Sequence, residues 1–319
     1  MPRFPSAPGQ VALSQATRGK HMTVSLKPVT ADFAAVVEGV DLRNPLDPKD
    51  KDLIVQASDK YAVLIFHDQL LTKEQLIAFG SQFGELDTGL QTKIMHKMQN
   101  RIGHAAVSDI SNLDAAGKVA DRNHWQTIMN VSNRFWHTDG SFKHYPNRYS
   151  ILNAVVAVAQ GGQTEFADLR AAYDALDEAT KALISDKLGT FYSHNTRDWL
   201  QVNASADERR AYPPVQWPLV RTHPGSNRKV LWCDSKVARI SGMTVPEGRA
   251  LAHELIEHIG QRERVYSHQW KSGDLVMYDN RSALHRGRRF DLDQRREMRR
   301  VEVVDTVHSL GELPLESLQ

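Results

Sequence analysis

A histidine and an aspartate stand two residues apart in Phe135-Trp136-His137-Thr138-Asp139-Gly140, and a further histidine closes Asp279-Asn280-Arg281-Ser282-Ala283-Leu284-His285 far downstream. Two imidazoles and one carboxylate on one face of a metal leave its opposite positions open. That is the ligand set of non-haem Fe(II) that activates oxygen. If His137, Asp139 and His285 meet, the chemistry is oxygenation. Spacing alone favours a surface His–Asp pair, because about one chance match to the pattern is expected in a chain of this composition. His285 alone is as ambiguous, since a lone histidine after a turn is usually structural. The arginines downstream of it carry more weight. On a strand, Arg296 and Arg300 share a face, with Met298 between them and Glu297, Arg299 and Val301 on the other. Arginines aimed inward call for anions, because an unpaired buried guanidinium is costly and its fork matches a carboxylate. Arg286-Gly287-Arg288-Arg289 reads instead as solvated basic surface.

Other chemistries drop out. Cys233 is the single cysteine, so thiolate zinc sites, iron–sulfur clusters and intrachain disulfides are excluded. This fits a reducing compartment, and a cytoplasmic location is the expectation. His253-Glu254-Leu255-Ile256-Glu257-His258 has its histidines five apart where a zinc protease needs four, and it reads as the polar face of a helix. No Gly-x-Ser-x-Gly elbow is present, and Gly161-Gly162 lacks the lysine of a phosphate loop. A net charge of +2 gives no reason to expect nucleic acid. No apolar run reaches the roughly 18 residues of a membrane span. A small acidic molecule is the expected partner, and assembly into a homo-oligomer is compatible with the composition.

The elements that must position these residues are mostly strands. Strands are expected at 25–29, 34–40, 62–67, 149–158, 164–167, 190–194, 219–222, 229–233, 265–270, 274–278 and 299–304. Helices are expected at 48–61, from Thr72 to Gly84, and at 171–176, 178–187 and 246–260. Pro48 suits a first helical turn, and Thr72-Lys73-Glu74-Gln75 has the spacing of a capping box. Residues 87–130 are polar and irregular, as in a lid or binding loop. Residues 1–21 are expected to be a disordered extension, with Met22 an alternative start and 22–319 a single domain. The pattern is an all-β core with helical decoration.

Taken together, the motifs resemble the Fe(II)- and 2-oxoglutarate-dependent dioxygenases of the taurine/2,4-dichlorophenoxyacetate group. The carriers include Phe79-Gly80-Ser81-Gln82-Phe83-Gly84, Trp136-His137-Thr138-Asp139, Gly161-Gly162-Gln163-Thr164-Glu165-Phe166 and Gly273-Asp274-Leu275-Val276-Met277-Tyr278-Asp279-Asn280-Arg281. The resemblance implies a double-stranded β-helix, or jelly roll. It implies Fe(II) on His137, Asp139 and His285, O2 as oxidant, and 2-oxoglutarate held at its distal carboxylate by Thr164 and Arg296. Arg300 matches the position that grips the substrate's acid. Lys93 and Lys118 fall near lysines placed by the substrate carboxylate, and Asn133 near a pocket polar group. Gly140 stands where the herbicide-degrading members carry a serine, and loss of that hydroxyl would widen the pocket or remove a hydrogen bond. The implied reaction hydroxylates the carbon next to the carboxylate of an aryloxyalkanoate such as 2,4-dichlorophenoxyacetate, an aromatic herbicide. It yields phenol, glyoxylate, succinate and CO2. The same chemistry on a sulfonate or alkyl sulfate, a non-catalytic metal-binding barrel, and a zinc hydrolase are the competing readings.

Overall fold

The structure, a computed structural model, describes residues 23–89, 101–202 and 204–311. The expected N-terminal extension and Lys93 lie outside these residues. In chain order the strands are β1 (Ser25–Pro28), β2 (Ala34–Glu38), β3 (Val63–Phe66), β4 (Ser108–Asp109), β5 (Asn147–Val156), β6 (Thr164–Asp168), β7 (Leu188–Phe191), β8 (Val215–Pro218), β9 (Val220–Thr222), β10 (Lys229–Leu231), β11 (Val237–Ile240), β12 (Val265–His268), β13 (Leu275–Asp279), β14 (Ala283–Gly287) and β15 (Glu297–Val304). The helices are α1 (Pro48–Tyr61), α2 (Lys73–Ser81), α3 (Trp125–Ser132), α4 (Leu169–Asp174), α5 (Glu178–Ile184), α6 (Asn195–Trp199), α7 (Ala206–Ala211) and α8 (Val245–Ile259).

Strands β3 and β13 are continuous apolar runs because both of their faces are buried. Leu275 and Met277 of β13 pack toward α1 and α2, against Ile54, Leu76 and Phe79. Val276 and Tyr278, one residue out of phase, point the other way and meet Phe166 of β6 and Ala283 of β14. This second layer joins a large sheet, ordered β1-β2-β3-β13-β5-β15-β4, to a small sheet, ordered β12-β6-β14. The two sheets form the double-stranded β-helix, and the candidate ligands lie between them. A third apolar cluster, built on Trp217, Trp232, Phe191 and Ile240, packs α8 against the outer strands.

Local signals act as expected where they are chemically complete. Thr72 caps α2 with both halves of the box: its hydroxyl accepts from Gln75 N–H at 3.2 Å, and Gln75 Oε1 accepts from Thr72 N–H at 2.9 Å. Thr244 caps α8 in the same way. His253 and His258 do not converge: His253 faces Glu257 at 3.8 Å, while His258 Nε2 donates to Ala172 O at 2.8 Å. Two differences bear on the site. His137 and Asp139 are not on a regular strand; His137 forms an isolated bridge to His285, and a turn begins at Asp139. His285 does not merely follow a strand but lies in the middle of β14. The irregular 87–130 region contains α3 and the short β4. Among the described residues no helix is long and apolar enough to cross a membrane.

Candidate metal centre and cavity

The bridge brings two distant segments together. His137 N–H donates to His285 O at 3.1 Å, His285 N–H donates to His137 O at 2.8 Å, and the two rings lie 4.2 Å apart. Phe135 O, which can only accept, takes the Nδ1 proton of His137 at 2.8 Å. That fixes the tautomer and leaves Nε2 with a bare lone pair. Nε2 of His137 is 3.9 Å from Asp139 Oδ1, and Nε2 of His285 is 3.7 Å from Asp139 Oδ2. The three ligand atoms lie within 4.8 Å of one another, all on buried residues. Burial lowers the His137 pKa to about 4 and that of His285 well below its ordinary value. Burial would raise the pKa of Asp139, but Arg300 and the two histidines hold it below the usual carboxylate range. At neutral pH the set is therefore two neutral imidazoles and one carboxylate, the protonation state that a divalent metal requires.

Asp139 is held from several sides. Ser150 Oγ donates to Oδ2 at 2.7 Å, Tyr278 Oη donates to Oδ2 at 3.0 Å, and Arg300 Nη1 lies 2.9 and 3.0 Å from the two oxygens. Asn280 ties the turn together: its Oδ1 accepts from Asp139 N–H at 3.1 Å, and its Nδ2 donates to Ser150 Oγ at 2.9 Å. Asn280 is flanked in the chain by a buried pair, in which Arg281 Nε donates to Asp279 Oδ1 at 2.9 Å. Asp59, His223 and Asp279 also cluster closely enough to hold an ion, but the Arg281 guanidinium supplies positive charge there, bonding Asp279 and lying 3.5 Å from Asp59.

A cavity of about 90 Å³ opens beside the histidines, and Thr164, Arg296, Arg300 and Asn133 all line it. Arg296 has no acidic partner among the described residues. Its guanidinium reaches only Gly162 O at 3.3 Å and Ile110 O at 3.5 Å, and lies over the Phe290 ring at 5.4 Å. Burial alone pushes its pKa down to about 10. Asn112 fixes the backbone there, accepting from Arg296 N–H at 2.9 Å. Gly162, at φ +66°, lets the chain pass this close: a Cβ would stand 3.0 Å from Val158 and 3.3 Å from Arg296 Nε. Thr164 Oγ1 accepts from the indole Nε1–H of Trp270 at 3.0 Å.

The other expected site residues divide. Arg300 is at the cavity, but it already serves two carboxylates, Asp139 and Glu302, the latter at 3.3 Å. Asn133 lines the cavity, and its carbonyl accepts from Gly287 N–H at 2.8 Å. Gly140 is not among the described lining residues. It occupies a turn at φ +77°, and a Cβ there would meet Asn147 N at 2.9 Å. A side chain at 140 would point at Asn147. Lys118 is exposed on a turn closed by Asp114, whose Oδ1 accepts from Lys118 N–H at 2.9 Å, and it does not line the cavity. Sequence reasoning missed Trp270, Ser150, Tyr278, Asn280 and Glu302. None carries a spacing signal; each matters only through what the fold sets against it.

A jelly roll with this open histidine–carboxylate face falls in the class of mononuclear metal oxygenases. Comparison with known proteins takes this further. The chain belongs to the taurine catabolism dioxygenase TauD, TfdA family, whose profile matches residues 25–301. It is 44% identical over 285 residues to the alpha-ketoglutarate-dependent 2,4-dichlorophenoxyacetate dioxygenase of Cupriavidus pinatubonensis, covering 89% of this chain and 99% of that protein. It is 34% identical over 280 residues to the (S)-phenoxypropionate/alpha-ketoglutarate-dioxygenase of Sphingobium herbicidovorans, covering 86% of this chain and 92% of that one. The solved structure of AAD-2 with Mn(II) and N-oxalylglycine matches with a TM-score of 0.82 at 41% identity, over 93% of this chain and 100% of that chain. The protein is a 2-oxoglutarate-dependent dioxygenase whose cofactors are Fe(II), 2-oxoglutarate and O2.

Proposed function

We propose that the enzyme hydroxylates the carbon between the ether oxygen and the carboxylate of an aryloxyacetate such as 2,4-dichlorophenoxyacetate. His137, Asp139 and His285 hold Fe(II), Thr164 and Arg296 hold the distal carboxylate of 2-oxoglutarate, and Arg300 receives the substrate's carboxylate. The observation that carries the co-substrate assignment is Arg296, whose guanidinium has no acidic partner among the described residues, on the same cavity as both histidines. Bound Fe(II) supplies the activation of oxygen. One oxygen atom enters the substrate carbon as hydroxyl, and the other enters succinate as 2-oxoglutarate loses CO2. The hydroxylated carbon is a hemiacetal. Its bond to the aryl oxygen breaks, the hydroxyl proton passes to that oxygen, and phenol and glyoxylate leave.

The chain's own share is placement. Arg300 shares its charge between Asp139 and Glu302, and Fe(II) held by Asp139 would supply part of that neutralisation. The guanidinium would then be available to the substrate's carboxylate. The test is oxygen-dependent succinate release across a panel of aryloxyacetates, taurine and an alkyl sulfate, with phenol measured in parallel. Equal yields of phenol and succinate from an aryloxyacetate support the reading. Release of succinate only with taurine or the sulfate refutes the substrate class. Full activity of Asp139→Ala with added iron refutes the ligand assignment.

A further inference from the structure

The 133–137 segment is a wall with a hollow on each side. The inner hollow is the site cavity. The outer one is a groove of about 860 Å³ between this segment and α8, walled by Phe135, Trp136, Trp199 and Ile256. Arg134 lines both. A cavity that takes one benzene ring measures about 150 Å³. The groove exceeds that several-fold, so it has room for a single-ring acid outside the reaction cavity.

The lining has the chemistry such an acid requires. Trp199 is 47% exposed, and its indole meets the Phe135 ring edge-on at 6.2 Å and 70°. This aromatic corner faces solvent instead of the core, and a further ring packs well against it. Arg134 is half-buried, and its guanidinium has no hydrogen bond or ion pair among the described residues. The charge that acts on it is a second cation, Arg289, which with burial lowers its pKa. Arg249 adds an exposed cation at the rim. Arg286 is already committed: it lies over Trp136 at 4.3 Å and donates to Glu165 at 2.7 Å. Glu257 is the carboxylate among the lining residues, and it faces His253 at 3.8 Å. The groove is thus cationic and aromatic together.

We propose that this groove is a second binding site for the aromatic acid, with the ring against Trp199 and Phe135 and the carboxylate on Arg134. It is a staging site outside the reaction cavity that shares Arg134 with it. The inference rests on the aryloxyacetate reading of the function. The experiment is equilibrium dialysis of radiolabelled 2,4-dichlorophenoxyacetate against the full chain loaded with Mn(II) and N-oxalylglycine, which does not turn over. Two equivalents bind per chain. Trp199→Ala weakens one of them about tenfold and leaves the other, whereas Arg300→Gln removes the one that Trp199→Ala keeps. Arg134→Lys retains the outer equivalent and Arg134→Gln loses it, which separates charge from folding. A single equivalent, lost in Arg300→Gln and untouched by Trp199→Ala, overturns the staging site while leaving the substrate reading intact. No binding at all overturns both.

Discussion

Trp270 gives the sharpest test of how the co-substrate is held. Its indole N–H donates to Thr164 Oγ1 at 3.0 Å, and both residues are buried. A threonine hydroxyl has one proton and two lone pairs. With one lone pair filled by the indole, the hydroxyl proton is turned toward an acceptor in the cavity, and the distal carboxylate of 2-oxoglutarate is that acceptor in the proposed function. Trp270→Phe removes the donor and keeps a ring against His268, which the indole now meets edge-on at 4.6 Å. A net hydrogen bond contributes about 1 kcal/mol, so the affinity for 2-oxoglutarate should fall about fivefold. Thr164→Val removes the bond to the anion itself, worth about 1.5–3 kcal/mol, or roughly ten- to 150-fold. Because tryptophan acts only through threonine, Trp270→Phe in the Thr164→Val background should cost nothing further. The assay is calorimetric titration of the Mn(II) protein with 2-oxoglutarate, alongside KM for the aromatic acid and a thermal melt of each variant. If Trp270→Phe weakens the acid as much as 2-oxoglutarate, or still costs fivefold without the threonine hydroxyl, the reasoning fails.

The same geometry sets three further outcomes. Asp279→Asn should lose up to about 3–5 kcal/mol of stability at pH 7, since it takes from the buried Arg281 the nearer of its two carboxylates and leaves only Asp59 at 3.5 Å. Burial opposes the charge on Asp279, but Arg281 and His223 hold its pKa below the ordinary value. The wild-type advantage should therefore be full above about pH 4 and shrink as pH falls below it; urea unfolding in which the gap widens toward pH 3 would contradict this sign. Ser150→Ala should weaken metal binding about tenfold, as the loss of a group that orients a ligand carboxylate does, and a competitive chelator titration with an unchanged Kd would count against it. Gly140→Ala should lower stability by about 1–3 kcal/mol, because φ there is +77° and the new Cβ meets Asn147 N at 2.9 Å; a thermal melt equal to wild type, with altered substrate preference, would restore the pocket reading of this position.

What could be read from the residues depended on whether the signal was local. The runs of β3 and β13 are apolar throughout because each face meets a different core layer, and Thr72 announces α2 because a capping box closes within one turn. The ligand set was readable because metal chemistry restricts residue types, whatever the backbone does. The backbone itself was not: no expected element covers His137 and Asp139, and a single bridge to His285 and a turn at Gly140 place them. That arrangement depends on Asn280, more than a hundred residues away, accepting from Asp139 N–H.

Arg300 shows the same limit in electrostatic terms. Its place on one face with Arg296 is legible, and both line one cavity. Their charges nonetheless differ in kind. Arg296 has no acid beside it among the described residues, and burial lowers its pKa. Arg300 is buried between Asp139 and Glu302, and although burial disfavours its charge, the two carboxylates raise its pKa above the ordinary value. Glu302 is itself fixed by Asn147 Nδ2 at 2.6 Å, across from the Ser150 that holds Asp139. In the proposed function the first arginine would serve as a standing anion site, whereas the second would become one only where a metal on Asp139 offset part of that carboxylate's charge. Identical side chains four residues apart differ in this way because β15 and the 137–139 turn set carboxylates beside only one of them.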